Sequence, residues 1–430
     1  MTEKIKETIE TIMTEMTEMT EMTEANEKFN ESKFNESKFN NSKFNEVKFD
    51  ESKNAKLIEK ILSFKNLTES QAKNAMILIM ENKMNDCQKA AFLTALRMKG
   101  VSVSELYGFA KAMLEKAVII SPNFMQDSFT QVEKLKIENA IKSEDFKEDI
   151  LHFDDLVDTC GSGGDNKNTF NISTTAAFIA AGAGIKVVKH GNRSISSNCG
   201  SADVLEALGV RINTNAKNLS LYIKECLKNS NLSFIFAPIA HPAMANAAKT
   251  RKDLKFKTVF NILGPIVNPV IPKKRVIGIY DYSFAKKIAK VLNRLNVKRA
   301  IIASSADGMD ELSVLAPTYI TELNDNYISQ YTFNPKKYGF NYKLAKYSYS
   351  IKDLQGGTPQ HNAQIILDIL KGRDKGVKRD IAVLNAAAAI LVGKNLSDFK
   401  DAIEMAIDSI DSGNALGKME NLIEITNKFD

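Results

Sequence analysis

Beyond residue 150 the chain alternates between short continuous apolar runs and stretches of helical period. The runs include Ile185–Val188 (IKVV), Ser233–Pro238 (SFIFAP), Arg275–Tyr280 (RVIGIY) and Arg299–Ser305 (RAIIASS). Between them lie stretches such as Asp203–Val210 and Ser283–Leu295. Strands buried on both faces read as unbroken apolar runs, and helical crossovers join parallel neighbours. The alternation therefore predicts an α/β domain over 151–430 whose largely parallel sheet is covered by helices. In such sheets ligands bind outside the carboxyl ends of the strands. The loops that follow strands are the places to search for chemistry.

The rest of the chain reads differently. Over 54–118, four stretches (LIEKILSF, ESQAKNAMILIMENK, DCQKAAFLTALRMKG and SVSELYGFAKAMLEKA) place apolar residues at i, i+3, i+4 spacing, which predicts a small all-helical N-terminal domain. Thr68 and Ser104 read as N-caps and Gly100 as a C-cap. Residues 119–150 form a polar, Lys/Glu-rich linker. Residues 1–53 are low complexity: MTE occurs four times from Met13 to Glu24, and KFNES-like pentads run from Lys28 to Ser52. Neither period matches a helix, so this tail buries too little to offset its ordering entropy and is expected to be disordered. The regular Phe29, Phe34, Phe39, Phe44 and Phe49 leave a partner-binding tail as the alternative.

The tail carries −5 of the formal net charge of +6, so the remaining chain carries +11. A basic body suits an anionic substrate, and a solvated mixed-charge surface accounts for it equally well. Cys87, Cys160, Cys199 and Cys226 are scattered, with no CxxC pair and no metal-ligand spacing, which points to free thiols in a reducing compartment. The longest apolar candidates, Ala176–Ile185 and Ile381–Gly393, are too short to span a bilayer and read as buried helix. The acidic N-terminus lacks an apolar signal region. A cytoplasmic protein with no membrane or nucleic-acid partner is expected.

Four segments carry candidate chemistry. A strand predicted over Phe153–Val157, with Asp158 at its end, leads into Gly161, Gly163 and Gly164, and then Asn171, Ser173 and Thr174 open a helix. Glycines allow close backbone approach, and the free N–H groups of a helix start suit phosphate or pyrophosphate. This is neither a Walker A loop nor a GxGxxG fingerprint. Lys189, His190, Asn192 and Arg193 follow the second strand, with Ser194, Ser196, Ser197 and Ser201 behind them. Cations and hydroxyls there again suit phosphate, while His190 alone could equally be structural. Asp307–Glu311 (DGMDE) follows a further strand and offers hard oxygen ligands for Mg²⁺, or else is a solvated acidic turn. Arg251, within Ala240–Arg251, offers a carboxylate fork or is a surface arginine.

Together GSGGD, NIST, KHGNR, GSADVLEALG, HPAM with Arg251, FNILGP, DGMDE and NAAAAI, in this order, resemble the anthranilate phosphoribosyltransferase family. The likeness covers residue 54 to the C-terminus. It implies a small helical domain, joined by later helices at roughly 217–252, packed on the larger α/β domain, in a homodimer formed mainly through the helical units. It implies a Mg²⁺-dependent pentosyltransferase of tryptophan biosynthesis. That activity moves the phosphoribosyl group of phosphoribosyl pyrophosphate onto the anthranilate amine and releases pyrophosphate.

By position, Gly161, Gly164, Asp165, Thr169, Asn171, Ile172, Ser173, Thr174, Lys189, His190, Gly191, Asn192, Arg193, Ser194, Ile195, Ser196, Ser197 and Ser201 match donor contacts. Gly161, Asn192, Arg251, His190 and His241 match the anthranilate side, and Ser173, Asp310 and Glu311 the metal ligands. Lys189, Asn192 and Arg251 would carry the catalysis. Cys160 and Ser162 depart from the family's aliphatic residue and threonine, and Asn198-Cys199 stands where Lys-Ser is common. A pyrimidine-nucleoside phosphorylase shares the architecture, but it has a Lys-Thr-Ser stretch after the glycines and no HGNR equivalent. A nucleic-acid-binding paralogue without activity is the alternative from another class.

Overall fold

The computed structural model describes residues 51–118, 120, 153–194, 198–340 and 349–429. Nearly all of the repeat tail, the 119–150 linker (Ile120 apart) and Ile195, Ser196 and Ser197 lie outside the described residues.

Among the described residues four helices come first: α1 (Glu51–Leu62), α2 (Glu69–Met80), α3 (Asp86–Lys99) and α4 (Val103–Glu115). The starts of α2, α3 and α4 share one device, a capping box built from Thr68 and Gln71, Asn85 and Gln88, and Ser102 and Glu105. The α4 cap is thus Ser102 rather than Ser104, because only Ser102 has a glutamate three residues on. Gly100 closes α3 at φ +80°.

Glu105 does more than cap. Its carboxylate accepts from the Leu67 N–H at 2.9 Å, the Ser102 N–H at 2.8 Å and the nearly buried Lys99 ammonium at 2.8 Å. Burial pushes its pKa up, but Lys99 and the two N–H groups outweigh that and hold it below the usual carboxylate range. Glu105→Ala leaves Lys99 and the Leu67 N–H uncompensated, and is expected to lower the unfolding free energy by about 3–5 kcal/mol. Thermal melts of the two proteins check this. Because the folded pKa is depressed, the contribution is present above the unfolded value of about 4.3 and fades as pH falls. Equal melting temperatures at pH 7 would remove Glu105 from the list of stabilising contacts.

The α/β part holds one seven-stranded sheet. Its strands are β1 (Val157–Gly161), β2 (Val187–Gly191), β3 (Leu232–Phe236), β4 (Lys274–Gly278), β5 (Arg299–Ser305), β6 (Thr318–Asn324) and β7 (Tyr327–Phe333), in the order β3-β2-β1-β4-β5-β6-β7. The first five are parallel, and β6 and β7 add an antiparallel hairpin. The hairpin turns at Asp325-Asn326, both at positive φ, as a two-residue hairpin requires. Strand β1 lies further along the chain than the expected Phe153–Val157, whose start is a 3-10 turn at Phe153–Asp155. Asp158 therefore sits inside the sheet, paired in register with Arg275, and the first glycine of the loop is itself in the strand.

Among the described residues, and apart from the single turn Ala237–Ala240, the helices of this part are α5 (Ile172–Gly182), α6 (Ser201–Ala207), α7 (Leu219–Ser230), α8 (Ala245–Leu254), α9 (Val259–Leu263), α10 (Ala285–Arg294), α11 (Pro359–Leu370), α12 (Val377–Gly393), α13 (Phe399–Asp411) and α14 (Asn414–Thr426). Strand side chains alternate between two cores. Val276, Ile301 and Ala303 face α5, α12, α13 and α14, whereas Ile277, Ile279, Ala300 and Ile302 face α10 and the helical unit. Alanines on α5 and α12 let these two helices pack side by side under the sheet. Of the 217–252 segment expected to join the helical unit, α7 packs instead on β3 and α14. Its apolar stripe, Leu219, Tyr222, Ile223, Cys226 and Leu227, is buried in the α/β core. Helix α8 packs on α2 and α3, where the Lys89 ammonium donates to Asn246 O at 2.8 Å.

Candidate active site

The chain leaves β1 toward β2 and β3 on one side and later returns to β4 and β5 on the other. The point of reversal lies at the carboxyl ends of β1 and β4, where ligands bind in open α/β sheets. Gly161 and Gly278 end those strands as register partners. The Asp310–Glu311 loop lies directly on them. A Cβ on Gly278 would stand 1.6 Å from Asp310 O, and one on Gly161 would stand 3.0 Å from Asp310 Oδ2. Gly163 and Gly164 turn the loop at φ +63° and +78° and aim the Gly163 N–H at Asp310 Oδ2, 2.7 Å away.

A small cavity of about 20 Å³ opens here, lined among others by Thr159, Gly161, Ser173, Gly278, Glu311 and Asn385. Asn385, on the apolar helix α12, holds the acidic loop: it accepts from Leu312 N at 3.0 Å and donates to Leu312 O at 2.9 Å. Burial and then the Asp165 charge raise Asp310 to about 7, and burial and then Asp310 push Glu311 well above its usual range. Asp165 Oδ2 is buried with no hydrogen-bond partner. Asp307 has a separate task, accepting from the Ser305 hydroxyl and from Ser313 at 2.6 Å to shape the turn.

Across the cavity stands the start of α5. The N-cap residue Asn171 makes no side-chain bond to its own helix. Its Oδ1 accepts from Asn362 Nδ2 at 2.8 Å, and its Nδ2 donates to Cys199 O at 3.2 Å. Asn362 is buried and also accepts from Gly357 N at 2.7 Å. An asparagine turned away from its helix leaves the Ser173 N–H open to an outside acceptor, whereas the Ile172 N–H donates to Phe170 O and the Thr174 N–H to Asn171 O. Beside it the buried Lys189 ammonium reaches Thr159 O at 2.5 Å and Ser173 Oγ at 3.1 Å.

Beneath this floor lie more buried charges. Burial raises the Asp158 pKa, opposed by Arg275, Asn268 and Lys189. The Arg275 guanidinium donates to Pro265 O and Ile266 O at 3.1 and 2.7 Å. It anchors the FNILGP loop from below. His190, brought down to about 3 by burial and then by His241, is a neutral imidazole whose Nε2 lacks a partner. The His241 ring lies 5.2 Å away, its Nε2 bonded to Val267 O at 2.9 Å and its Nδ1 unpartnered.

The structure thus brings Gly161, Gly164, Asp165, Asn171–Thr174, Lys189, Asp310 and Glu311 to one place. Other expected residues sit differently. Arg193 is exposed and bound to Asp203 at 3.0 Å and Glu206 at 2.6 Å on α6. Ser201 Oγ donates to Asn192 O at 3.3 Å. Thr169 forms a β-bridge with Gln355. Arg251 is half-buried over the Phe260 ring at 5.0 Å; burial lowers its pKa, and it pairs with no carboxylate among the described residues. No cluster of three His, Cys, Asp or Glu side chains suited to a metal occurs among the described residues. Asn362, Asn385, Arg275 and Lys257 escaped the sequence reading. The run QGGTPQHNA (355–363), a glycine pair before a Thr-Pro helix start, was a readable signal for Asn362. Asn385 opens the NAAAAI run, where one polar residue heads an apolar stretch, and nothing local marks Arg275 or Lys257.

A helical unit beside a sheet whose strand ends carry this loop and these carboxylates is the arrangement to compare with known families. Residues 153–416 match the glycosyl transferase family, a/b domain, and residues 55–117 match its helical bundle domain. Anthranilate phosphoribosyltransferase of Acetivibrio thermocellus is 42% identical over 374 residues, 87% of this chain and 97% of that one. The crystal structure of the Thermus thermophilus enzyme superposes with a TM-score of 0.71 at 29% identity, covering 86% of this chain and 99% of that one. The Saccharomyces cerevisiae enzyme, solved in complex with phosphoribosyl pyrophosphate and Mg, gives 0.73 at 25%, covering 89% and 99%. The chain belongs to the anthranilate phosphoribosyltransferase family. It is a transferase of tryptophan biosynthesis.

Proposed function

We propose that the transfer of the phosphoribosyl group from phosphoribosyl pyrophosphate to anthranilate takes place at the carboxyl ends of β1, β2, β4 and β5. The observation that carries this is the open start of α5, with Ser173 and Lys189, facing Glu311 across one cavity. The Gly161–Thr174 stretch and Lys189–Ser194 would hold the donor. Arg251, Asn192, His190 and His241 would receive anthranilate.

Asp310 and Glu311 are adjacent carboxylates, and burial first, then the Asp165 charge for Asp310 and the Asp310 charge for Glu311, raises their pKa values. That donor set fits Mg²⁺, a hard cation with oxygen ligands. Asp310 and Glu311 would hold it, with Ser173 Oγ nearby. When bound it would supply charge against the departing pyrophosphate.

The chain's own groups do the rest. The α5 dipole end and the Lys189 ammonium oppose negative charge as the bond from C1 to the pyrophosphate oxygen breaks. The amine attacks C1 in line and inverts it, and its surplus proton leaves to solvent. The amine is a neutral nucleophile, so no strong base is needed. Arg251 and Asn192 orient the acceptor, a contribution on the order of 7 kcal/mol at best for well-placed reactants. The homodimer and the cytoplasmic location belong to this reading. Leu62, Phe64 and Met98, exposed on the helical unit, support the first. No helix among the described residues is long and apolar enough to cross a membrane.

Mixing the protein with anthranilate, phosphoribosyl pyrophosphate and Mg²⁺ should extinguish anthranilate fluorescence. Phosphate-dependent cleavage of a pyrimidine nucleoside instead would move the protein to the phosphorylase reading. Arg251→Ala removes a charge-assisted contact worth about 1.5–3 kcal/mol, so the anthranilate KM should rise roughly 10- to 150-fold. The donor KM should stay within twofold or so. Equal rises for both substrates would give the arginine another role.

A further inference from the structure

Lys257 lies in the short link between α8 and α9, on the side of the helical unit. Its ammonium sits 3.6 Å from the centroid of the Tyr280 ring. Its stem crosses the glycine loop: a Cβ on Gly164 would meet Lys257 Cε at 2.9 Å and Nζ at 3.5 Å. Both neighbours are themselves held. The Tyr280 N–H donates to Ser162 Oγ at 3.2 Å, tying the ring to the loop. Arg97 of α3 donates to Lys257 O and stacks over Phe256 at 5.1 Å, tying the link to the helical unit. Asp165 and Asp310 attract the ammonium without pairing with it. A half-buried ammonium against an aromatic face, beside a loop built for an anion and with no bonded carboxylate among the described residues, is a charge set in place for a ligand.

We propose that Lys257 is a further cationic contact for the diphosphate of the donor, reaching over Gly164 from the helical side and positioned by Arg97 and Tyr280. It rests on the reading that the donor's diphosphate lies on the glycine loop. A compact ammonium suits a phosphate oxygen as a point charge. The missing side chain at Gly164 is what lets the stem lie flat on the loop. Because Lys257 is bonded through its main chain to α3, the same contact links diphosphate binding to the helical unit.

The test is calorimetric titration of inorganic pyrophosphate with Mg²⁺ into the full-length wild type, Lys257→Met and Lys257→Arg. Lys257→Met should weaken pyrophosphate binding about tenfold or more, as expected for one lost charge-assisted contact. Its affinity should also fall less steeply with KCl than that of the wild type. Lys257→Arg should stay within about threefold, because the charge is kept. Anthranilate KM should not change in either variant. A methionine variant that binds pyrophosphate like the wild type overturns the proposal, as does one that loses both ligands and melting temperature together. A wild type that takes phosphoribosyl pyrophosphate but ignores pyrophosphate overturns the placement of the donor, and the lysine contact with it.

Discussion

Converting the last two acids of the DGMDE loop to amides, Asp310→Asn with Glu311→Gln, is expected to lower kcat/KM on the order of 10²-fold or more while the protein stays folded. Amides keep the shape and can still accept from the Gly163 N–H, but they remove the charge that a cation needs. Residual turnover should require far higher Mg²⁺, so the titration midpoint moves together with the rate. Stability should move the other way. Buried Asp310 and its half-buried neighbour Glu311 are pushed upward in pKa, the first to about 7. Without a cation each is a desolvated charge beside a like charge, so the amide variant should melt above the metal-free wild type. A variant with unchanged Mg²⁺ dependence would remove both residues from the metal site.

Gly278→Ala is expected to be nearly as damaging, although residue 278 carries no chemistry. Its Cβ would stand 1.6 Å from the carbonyl oxygen of Asp310, a backbone atom that cannot swing aside as a side-chain end can. The acidic loop must lift off the sheet by well over an ångström, carrying both carboxylates with it. A misplacement of about 1 Å can cost 10²-fold, and that is the loss in kcat/KM expected here. Gly163→Ala is the control: nothing lies within 4 Å of its Cβ, so only the strain of φ +63° remains, about 1 kcal/mol. If Gly278→Ala keeps activity within about threefold of wild type, the acidic loop does not depend on this contact.

Much of the architecture was legible because each element carries its own local signal. Unbroken apolar runs reported strands covered on both faces, and the i, i+3, i+4 stripes reported the helical unit. S-x-x-E and N-x-x-Q report helix starts, and reading that spacing at 102–105 would have located the α4 cap correctly. The β1 error has the same kind of cause in reverse. Glycine-rich sequence reads as loop, yet Gly161 is strand because it pairs in register with Gly278, a residue far along the chain, and nothing near residue 161 records that. Helix α7 shows a further limit. Its stripe announces a buried face but not which core buries it, and β3 and α14 are the answer.

The site divides along the same line. Glycines, hydroxyls and cations after strand ends point to phosphate from residue type alone, since backbone donors, hydroxyls and ammonium groups bind phosphate wherever they converge. Sequence order cannot say which cations remain available. Arg193 is neutralised by Asp203 and Glu206, whereas Arg251 keeps an unpaired guanidinium among the described residues. Nor can it reveal partners distant along the chain, such as Asn362 turning Asn171 away from its helix, Asn385 gripping the acidic loop, or Lys257 lying across Gly164. Periodicity, capping and strand-end chemistry are local, so they fix fold class, element types and the phosphate-binding character of the loops. The ionisation of Asp310, the orientation of Asn171 and the reach of Lys257 depend on burial and on contacts between residues far apart in sequence, so they exist only once the sheet and the helical unit have closed around them.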